Sequence, residues 1–180
     1  MHMTGAVVTR VLALYRITTG KGRRMQHTLG MNRLYTLPRS PYSTIYGVSM
    51  VARTADKARA DAPGALGEYQ NACRMSRLLF AFLKTDPDTF RVAATSTPDD
   101  SGTEAFVATR LRDLRRTPAE VDAFNRSIEA PPAPDAIPDF LEERHEALPN
   151  RRDIWTHVDL IDAEEGRAVP NRSDTPAWAV

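Results

Sequence analysis

The stretch VSMVARTADKARADAPG, residues 48–64, carries the helical pattern on which the fold prediction rests. Its small apolar residues recur at spacings of three and four, so they lie on one face of a helix. They are Val48, Val51, Ala55, Ala58 and Ala62. The helix is predicted to begin near Tyr46 and to end at Pro63 and Gly64, because proline lacks an amide hydrogen and glycine accepts the left-handed conformation at a helix C-terminus. This narrow face of small side chains suits close packing against other helices.

Further segments with helical spacing follow along the chain. Apolar periodicity predicts helices within segments 73–83, 85–94, 96–117, 117–128, 139–148 and 152–166. In TPAE, Thr117 and Glu120 form a capping box and Pro118 occupies the first helical position. Only 9 glycines and 7% aromatic residues argue against an all-β sandwich. The sequence therefore predicts an all-α fold, an irregular array of five to seven short helices in one compact domain.

The charge distribution sets the start of the chain apart. Residues 1–55 contain no acidic residue, whereas residues 56–180 contain all of them and are net acidic. We interpret residues 1–34 as a basic, acid-free N-terminal extension that is disordered or not native. Residues 35–168 are predicted to form a single helical domain, and residues 169–180 a flexible tail.

The extension, residues 1–34, admits three interpretations. It resembles an organellar transit peptide, a basic arm for nucleic acid, or a product of translation from too early a start codon, with Met25 or Met31 as the true start. The third interpretation is favoured. Nucleic-acid binding is not expected of the protein, because its folded part is net acidic and would repel phosphates.

Composition and motifs exclude several classes of protein. The longest apolar stretch, GAVVTRVLALY, is short and interrupted by Arg10, so no membrane span is predicted. The single cysteine, Cys73, cannot form an intramolecular disulfide, and a reducing cytoplasm is the simplest location. The sequence lacks Walker, dinucleotide-binding, CxxC, GxSxG and HExxH motifs, which excludes the commonest enzyme classes.

Two further candidates for chemistry have simpler explanations. Glu142 and His145 have the Glu-x-x-His spacing of carboxylate-bridged di-metal bundles, but such sites need the motif twice and the sequence has one copy. An exposed charged helix is the better interpretation, and neither a metal nor a cofactor is predicted. Cys73 is a candidate nucleophile without a recognisable histidine partner, so a structural thiol is favoured.

The first predicted helix carries charged residues away from its apolar face. Arg53, Asp56 and Lys57 lie roughly opposite that face, and Arg59 flanks it. If a second layer covered them, Asp56, Lys57 and Glu68 would form a buried acid, base and anion-binding set. The alternative is a solvated face with an Arg53–Asp56 pair worth about 0.2–0.5 kcal/mol. Helical spacing by itself favours that alternative.

Five short segments together resemble a known family. They are PRSP at 38–41, DKARA at 56–60, GALGEY at 64–69, AFNRSI at 123–128 and DLIDAEEGR at 159–167. In this order they resemble the bacterial domain-of-unknown-function family 5069 (DUF5069), over about residues 35–168. The resemblance implies a shared pattern that includes Asp56, Lys57, Arg59, Gly64, Gly67, Glu68 and Tyr69, but it implies no activity. The chain departs from the family after GEY, where CRMS replaces a Cys-Pro-Leu-Asp stretch: Cys73 is kept and Ser76 stands in place of the acid.

Because the charged residues belong to the shared family pattern, the resemblance favours a functional polar site over a solvated face. We expect a polar centre where Asp56, Lys57 and Arg59 meet Glu68 and Tyr69. The predicted function is a binding or regulatory module for a small anionic ligand or a protein partner. Its predicted ligand-binding residues are Arg53, Lys57, Arg59 and Tyr69. The alternative is an enzyme in which Asp56 or Glu68 is the general base and Lys57 or Arg59 holds an anion.

Overall fold

A computed structural model describes residues 37–67, 69–171 and 176–179. These residues contain seven α-helices and no β-strand. The helices are α1 (Val51–Asp61), α2 (Arg74–Leu83), α3 (Pro87–Thr95), α4 (Ser101–Asp113), α5 (Pro118–Ile128), α6 (Ile137–Ala147) and α7 (His157–Glu164). Short 3₁₀ turns lie at Pro134–Ala136 and Ala177–Ala179. The prediction of an all-α array of five to seven short helices is confirmed.

Some of the predictions fall on other parts of the chain. The N-terminal extension, residues 1–34, lies outside the described residues, and so does Glu68. The domain boundaries at residues 35 and 168 and the flexible tail stay predictions. Within the described ranges, no helix is long and apolar enough to cross a membrane.

Helix α1 lies in the main hydrophobic core and packs against α3, which in turn packs against α4. The helix is buried on most of its surface. Its buried residues are Val51, Ala52, Arg53, Thr54, Ala55, Lys57 and Ala58. Within the helix, the predicted apolar residues Val51, Ala55 and Ala58 are buried, and Val48 is buried in the turn that precedes it. Ala62 is exposed because the helix ends before it, at Asp61.

Aromatic residues of α2 to α5 complete the core around α1. Phe80 lies 5.6 Å from Phe90, which lies 6.0 Å from Phe106, and Phe82 stacks on Phe124 at 4.3 Å, all measured between ring centres. Such pairs add about 0.5–1.5 kcal/mol each beyond their buried area. A second, smaller apolar cluster joins α6 to the end of the domain through Phe140, Ile154 and Leu160.

The turn before α1 corrects the predicted start of this helix. Tyr46, Gly47 and Met50 have φ angles of 51°, 74° and 70°, in the left-handed region that a right-handed helix cannot contain. The side chain of Asn125 in α5 satisfies this turn, since it accepts a hydrogen bond from the Ser49 amide at 2.9 Å and donates one to the Gly47 carbonyl at 2.8 Å. The helix therefore begins at Val51 and not near Tyr46.

The helix ends follow their local sequence. Gly64 has a φ of 68°, and its amide donates to the Asp61 carbonyl at 2.9 Å, which closes the C-terminus of α1 as predicted. Thr117 and Glu120 form the predicted capping box at the start of α5. Thr156 caps α7 by accepting a hydrogen bond from the Asp159 amide at 3.0 Å. These local contacts fix where α1 ends and where α5 and α7 begin.

Candidate functional site

The structure distributes the predicted polar residues among three groups. Asp56 and Arg59 belong to the first, Arg53 and Tyr69 to the second, and Lys57 to a third. Glu68, the remaining member of the predicted centre, lies outside the described residues. The solvated-face alternative is wrong for Arg53 and Lys57, which are only 5% and 2% exposed, because other parts of the chain cover α1 on that side.

The first group is an ion-pair network around Arg39, here called the Arg39 network (Arg39, Asp56, Arg59 and Asp100). The Arg39 guanidinium donates to the two Asp56 carboxylate oxygens at 2.8 and 2.9 Å and to Asp100 at 2.6 Å. Arg59 lies 2.9 Å from Asp100 and 3.5 Å from Asp56. The hydrogen bond from Arg39 holds the pKa of Asp100 below its ordinary value. The network ties the segment before α1 and the start of α4 to α1, so Asp56 and Arg59 have structural partners.

The second group is centred on Glu165, the residue after α7, and is here called the Glu165 cluster (Arg53, Tyr69, Glu165 and Arg167). Arg53 donates to both Glu165 carboxylate oxygens, at 2.6 and 2.9 Å, and the Tyr69 hydroxyl donates to one of them at 2.8 Å. Arg167 donates to the same carboxylate. The Arg53 guanidinium also lies 5.5 Å from the centre of the Tyr69 ring, within cation–π range. Arg53 and Tyr69, two of the predicted ligand-binding residues, therefore already donate hydrogen bonds to a carboxylate of the protein itself.

Burial and bonding determine the protonation of the Glu165 cluster. The side chains of Arg53 and Glu165 are 6% and 7% exposed. Burial favours the neutral form of Glu165, but the hydrogen bonds from Arg53 and Tyr69 outweigh it and lower the pKa of this carboxyl. Burial and the hydrogen bond to Glu165 raise the pKa of Tyr69 to about 12. At neutral pH the Arg53–Glu165 contact is therefore a buried pair of opposite charges.

The Glu165 cluster is the place where distant motifs of the sequence meet. Ser40 donates to Asp162 at 2.5 Å, and Arg167 donates to Asp162 at 3.0 Å. Arg167 also donates to the carbonyl oxygen of Pro38, 129 residues away in sequence. Segments PRSP, GALGEY and DLIDAEEGR thus meet at the Glu165 cluster, to which α1 contributes Arg53, three residues before DKARA. In the fifth segment, AFNRSI, Asn125 holds the turn that precedes α1.

A buried lysine–cysteine pair lies close to the Glu165 cluster. The Lys57 ammonium donates to Cys73 Sγ at 3.1 Å, to Ser76 Oγ at 2.8 Å and to the Gln70 carbonyl at 3.0 Å. Cys73 is half-buried and is the N-cap of α2, whereas Ser76 is fully buried. Among the described residues, Lys57 forms no salt bridge with a carboxylate. Ser76 takes the place where the resemblance to DUF5069 implies an acid.

The protonation of the two groups in this pair is coupled. Burial opposes the charged form of each group, and it lowers the pKa of Lys57. For Cys73, the Lys57 charge and the hydrogen bonds with Ser76 outweigh burial and lower the pKa of the thiol to about 7. Near neutral pH the thiol is therefore partly ionised, and its thiolate places a negative charge next to Lys57.

Other candidate sites lie apart from these groups. Glu142 and His145 are exposed on α6. The described part of the chain contains no group of three or more His, Cys, Asp or Glu side chains that could hold a metal ion. A cavity of about 470 Å³ lies beside Trp155 and Val169, and none of the predicted site residues lines it.

Sequence reasoning identifies the residues on α1 but misses their partners. Arg39 and Glu165 lie in the PRSP and DLIDAEEGR segments, so the family pattern is the signal that points to them. The contact between Lys57 and Cys73 spans 16 residues and two helices, which no local spacing rule reports. Helical spacing assigns Arg53 to a solvated face because it contains no information on which segments later cover that face.

Comparison with known proteins gives a family for the chain. The family model described as Domain of unknown function (DUF5069) matches residues 35–167. A comparison with curated proteins finds no match. The matched residues include the seven α-helices of the described ranges, the Arg39 network, the Glu165 cluster and the lysine–cysteine pair. The chain therefore belongs to the DUF5069 family, a domain of unknown function.

Proposed function

We propose that the domain is a binding or regulatory module in which the thiol of Cys73 is the responsive group and buried Lys57 activates it. The observation that carries the proposal is the 3.1 Å contact between Lys57 Nζ and Cys73 Sγ. A buried ammonium group is strongly destabilising unless a negative charge lies close by. The thiolate of Cys73 supplies that charge, so the pair favours an ionised cysteine near neutral pH.

The position of Cys73 supports reactivity. The thiolate is the nucleophilic form of cysteine, and low-pKa thiols that solvent reaches are those that react with electrophiles and oxidants. Cys73 is half-buried and occupies the N-cap position of α2, whose N-terminal dipole further favours a negative charge on sulfur. We therefore expect Cys73 to respond to small thiol-reactive molecules.

The charges around Cys73 favour an anionic ligand. Arg53 and Arg59 pair with internal carboxylates, Glu165 and Asp100. Lys57 instead has the thiol as its hydrogen-bonded ionisable partner in the described residues. The charge that activates the thiol also attracts a negatively charged ligand that carries an electrophilic atom. A reducing cytoplasm, where thiols stay free, is the compartment that fits this function.

The enzyme alternative has less support from the contacts. Both carboxylate oxygens of Asp56 accept hydrogen bonds from Arg39, and Arg59 is bonded to Asp100 and to the Ala94 carbonyl. Asp56, one candidate base, and Arg59, one candidate anion holder, are thus engaged in the Arg39 network, whereas Lys57, the other candidate anion holder, contacts Cys73. Glu68, the other candidate base, lies outside the described residues.

The pH dependence of Cys73 alkylation by iodoacetamide tests the proposal. The chain has 1 cysteine, so the mass of the intact protein reports alkylation of Cys73 directly. We expect the rate to rise with pH through a midpoint near 7, because the thiolate is the reacting form and the pKa of Cys73 is lowered to about 7. In Lys57→Met the midpoint should move up towards the ordinary thiol value of about 8.5. A midpoint in that ordinary range in the unsubstituted protein would contradict the proposal.

Two comparisons sharpen this experiment. Lys84→Met is the matched control, because it removes an exposed lysine at the opposite end of α2 and should leave the midpoint unchanged. Iodoacetate, an anion, is compared with neutral iodoacetamide to test the ligand class. The ratio of the iodoacetate rate to the iodoacetamide rate should fall in Lys57→Met. An unchanged ratio would contradict an anionic ligand, but it would leave the proposal of a responsive thiol in place.

A further inference from the structure

We infer that Lys57 and Cys73 form a modification site at which a peroxide joins the two side chains through a covalent sulfur–nitrogen bond. The inference rests on the proposed function, because both require a reactive thiol at Cys73. It adds a second reacting group, since Lys57 then acts as a nucleophile and not only as an activating charge.

The contacts hold the lysine nitrogen against the sulfur. Nζ of Lys57 lies 3.1 Å from Sγ of Cys73, and Ser76 Oγ and the Gln70 carbonyl hold the same nitrogen at 2.8 and 3.0 Å. Lys57 is 2% exposed within α1, and Cys73 is fixed at the start of α2. Two groups that are held in contact react as if each were at a very high concentration. A mobile surface lysine would lack this advantage.

The reaction takes two balanced steps. In the first, the Cys73 thiolate attacks one oxygen of hydrogen peroxide and the oxygen–oxygen bond breaks, so sulfur is oxidised to sulfenic acid and peroxide is reduced to hydroxide. The hydroxide takes a proton from the Lys57 ammonium to give water. In the second step, the neutral Lys57 amine attacks sulfur, the sulfur–oxygen bond breaks, and the hydroxyl group leaves as water with one amine proton. One peroxide is consumed and two waters are released for each sulfenamide.

Oxidation of Cys73 itself prepares Lys57 for the second step. Sulfenic acid formation removes the negative charge that stabilised the buried ammonium group. The described residues offer Lys57 no salt bridge in its place, and burial already lowers the pKa of Lys57. The ammonium group therefore loses its proton, and the nitrogen lone pair becomes available beside the oxidised sulfur.

The composition of the chain favours this partner for the sulfenic acid. A sulfenic acid commonly condenses with a second thiol, but Cys73 is the single cysteine of the sequence. The Lys57 amine is instead in contact with the sulfur. Condensation with Lys57 protects sulfur from irreversible oxidation, and an added thiol reverses it. Such a reversible link is the behaviour expected of a regulatory centre.

Peptide mapping of the full chain after hydrogen peroxide treatment tests the inference. Free thiols are blocked with iodoacetamide, and the protein is digested with trypsin, which does not cleave at a modified lysine. The link is expected to join peptide 54–59 to peptide 60–74 in one species. Its mass should be lower than the sum of the two peptides by two hydrogen atoms, and dithiothreitol should separate them.

Each product of the peroxide treatment either supports or contradicts the sulfur–nitrogen link. Recovery of Cys73 as sulfinic or sulfonic acid with Lys57 unmodified overturns the inference. A joined species that retains an oxygen atom overturns the condensation step. If these results occur while Cys73 still alkylates with a midpoint near pH 7, the proposed function stands and the link fails. A Cys73 that reacts with neither reagent contradicts both.

Lys57→Arg is the matched variant for the link. It keeps a positive charge beside Cys73, but the guanidinium stays protonated and does not act as an amine nucleophile. We expect rapid alkylation without joined peptides, and oxidation that continues to sulfinic acid. Lys84→Met should form the link as the unsubstituted chain does. If Lys57→Arg fails to fold, the peptide map of the unsubstituted chain still decides the inference.

Discussion

At Glu165, one carboxylate accepts hydrogen bonds from three side chains, those of Arg53, Tyr69 and Arg167. Water screens this site weakly, since the Arg53 and Glu165 side chains are 6% and 7% exposed. A buried ion pair is seldom more stable than an apolar replacement of both partners, but the loss of one partner leaves the other charge buried and uncompensated. The role of Glu165 is therefore to compensate the buried positive charge of Arg53.

The substitution Glu165→Gln tests this role. We expect it to lower the free energy of unfolding by about 3–5 kcal/mol, because Arg53 then keeps its charge without a counter-charge. Urea denaturation followed by circular dichroism measures the change. Glu104→Gln is the control, since Glu104 is exposed on α4, and it should change stability by less than about 0.5 kcal/mol. Similar losses in the two variants would contradict the role of Glu165.

Between helices α6 and α7, the packing contains a titratable ring. His157, the first residue of α7, lies edge-on to Phe140 of α6 with 5.0 Å between ring centres. Arg74 and Glu143 approach the two ring nitrogens at 3.3 and 3.6 Å. Burial, with a smaller contribution from the Arg74 charge, lowers the pKa of His157 to about 4. The neutral ring is thus the form that fits between the two helices.

The pKa of His157 predicts a pH dependence of stability. The pKa of His157 falls from 6.5 to about 4 on folding. The contribution of the neutral ring to the stability of the fold is therefore complete above pH 6.5 and is lost as the pH falls towards 4. His157→Gln cannot titrate, so its free energy of unfolding should fall less over this range. The difference in the free energy of unfolding between the unsubstituted protein and His157→Gln should change by at most about 1.4 kcal/mol per pH unit.

Urea denaturation from pH 7.5 to about 4 measures this difference. Glu143, whose pKa burial raises, titrates in both proteins and largely cancels from the comparison. His145→Gln is the control, since His145 is exposed on α6 and its substitution should leave the pH profile unchanged. A constant difference between the unsubstituted protein and His157→Gln would contradict the prediction.

Across the whole domain, what could be predicted from the sequence is what depends on neighbouring residues. The end of α1 at Gly64 and the capping box of Thr117 are set within a few residues, and both are found where the sequence predicts them. The start of α1 is predicted too early because the left-handed turn before it includes Met50, directly before the helix, and a residue other than glycine gives little local signal of a positive φ.

The polar partners depend on helix packing and therefore escape local rules. Arg53 and Glu165 are 112 residues apart, and no periodicity relates them. Spacing predicts correctly that Arg53 and Lys57 share a side of α1, but it cannot tell a solvated side from a covered one. The family pattern points to DLIDAEEGR, which contains Glu165, but none of its segments contains Arg53, and it does not say which residues touch.

Helix α7 and the turn after it complete the domain, which gives a prediction at this scale. Asp162 accepts a hydrogen bond from Ser40 and Glu165 accepts from the buried Arg53 side chain, and Arg167 donates to both carboxylates. A chain ended after residue 150 should therefore lose its cooperative thermal transition, measured by circular dichroism. A chain ended after residue 168 is the control and should keep the transition. Cooperative melting of the shorter chain would show that α1 folds without these partners.

The hydrogen bond from Arg167 to the carbonyl oxygen of Pro38 has a topological consequence. It places the beginning and the end of the helical array side by side, so a short linker could join them into a ring at a small cost in chain entropy. The array could then be opened elsewhere, for example between the exposed residues Ala130 and Pro131. Circular permutation and insertion into the surface loop of a host protein are thus both compatible with this fold, because the chain would enter and leave at one point.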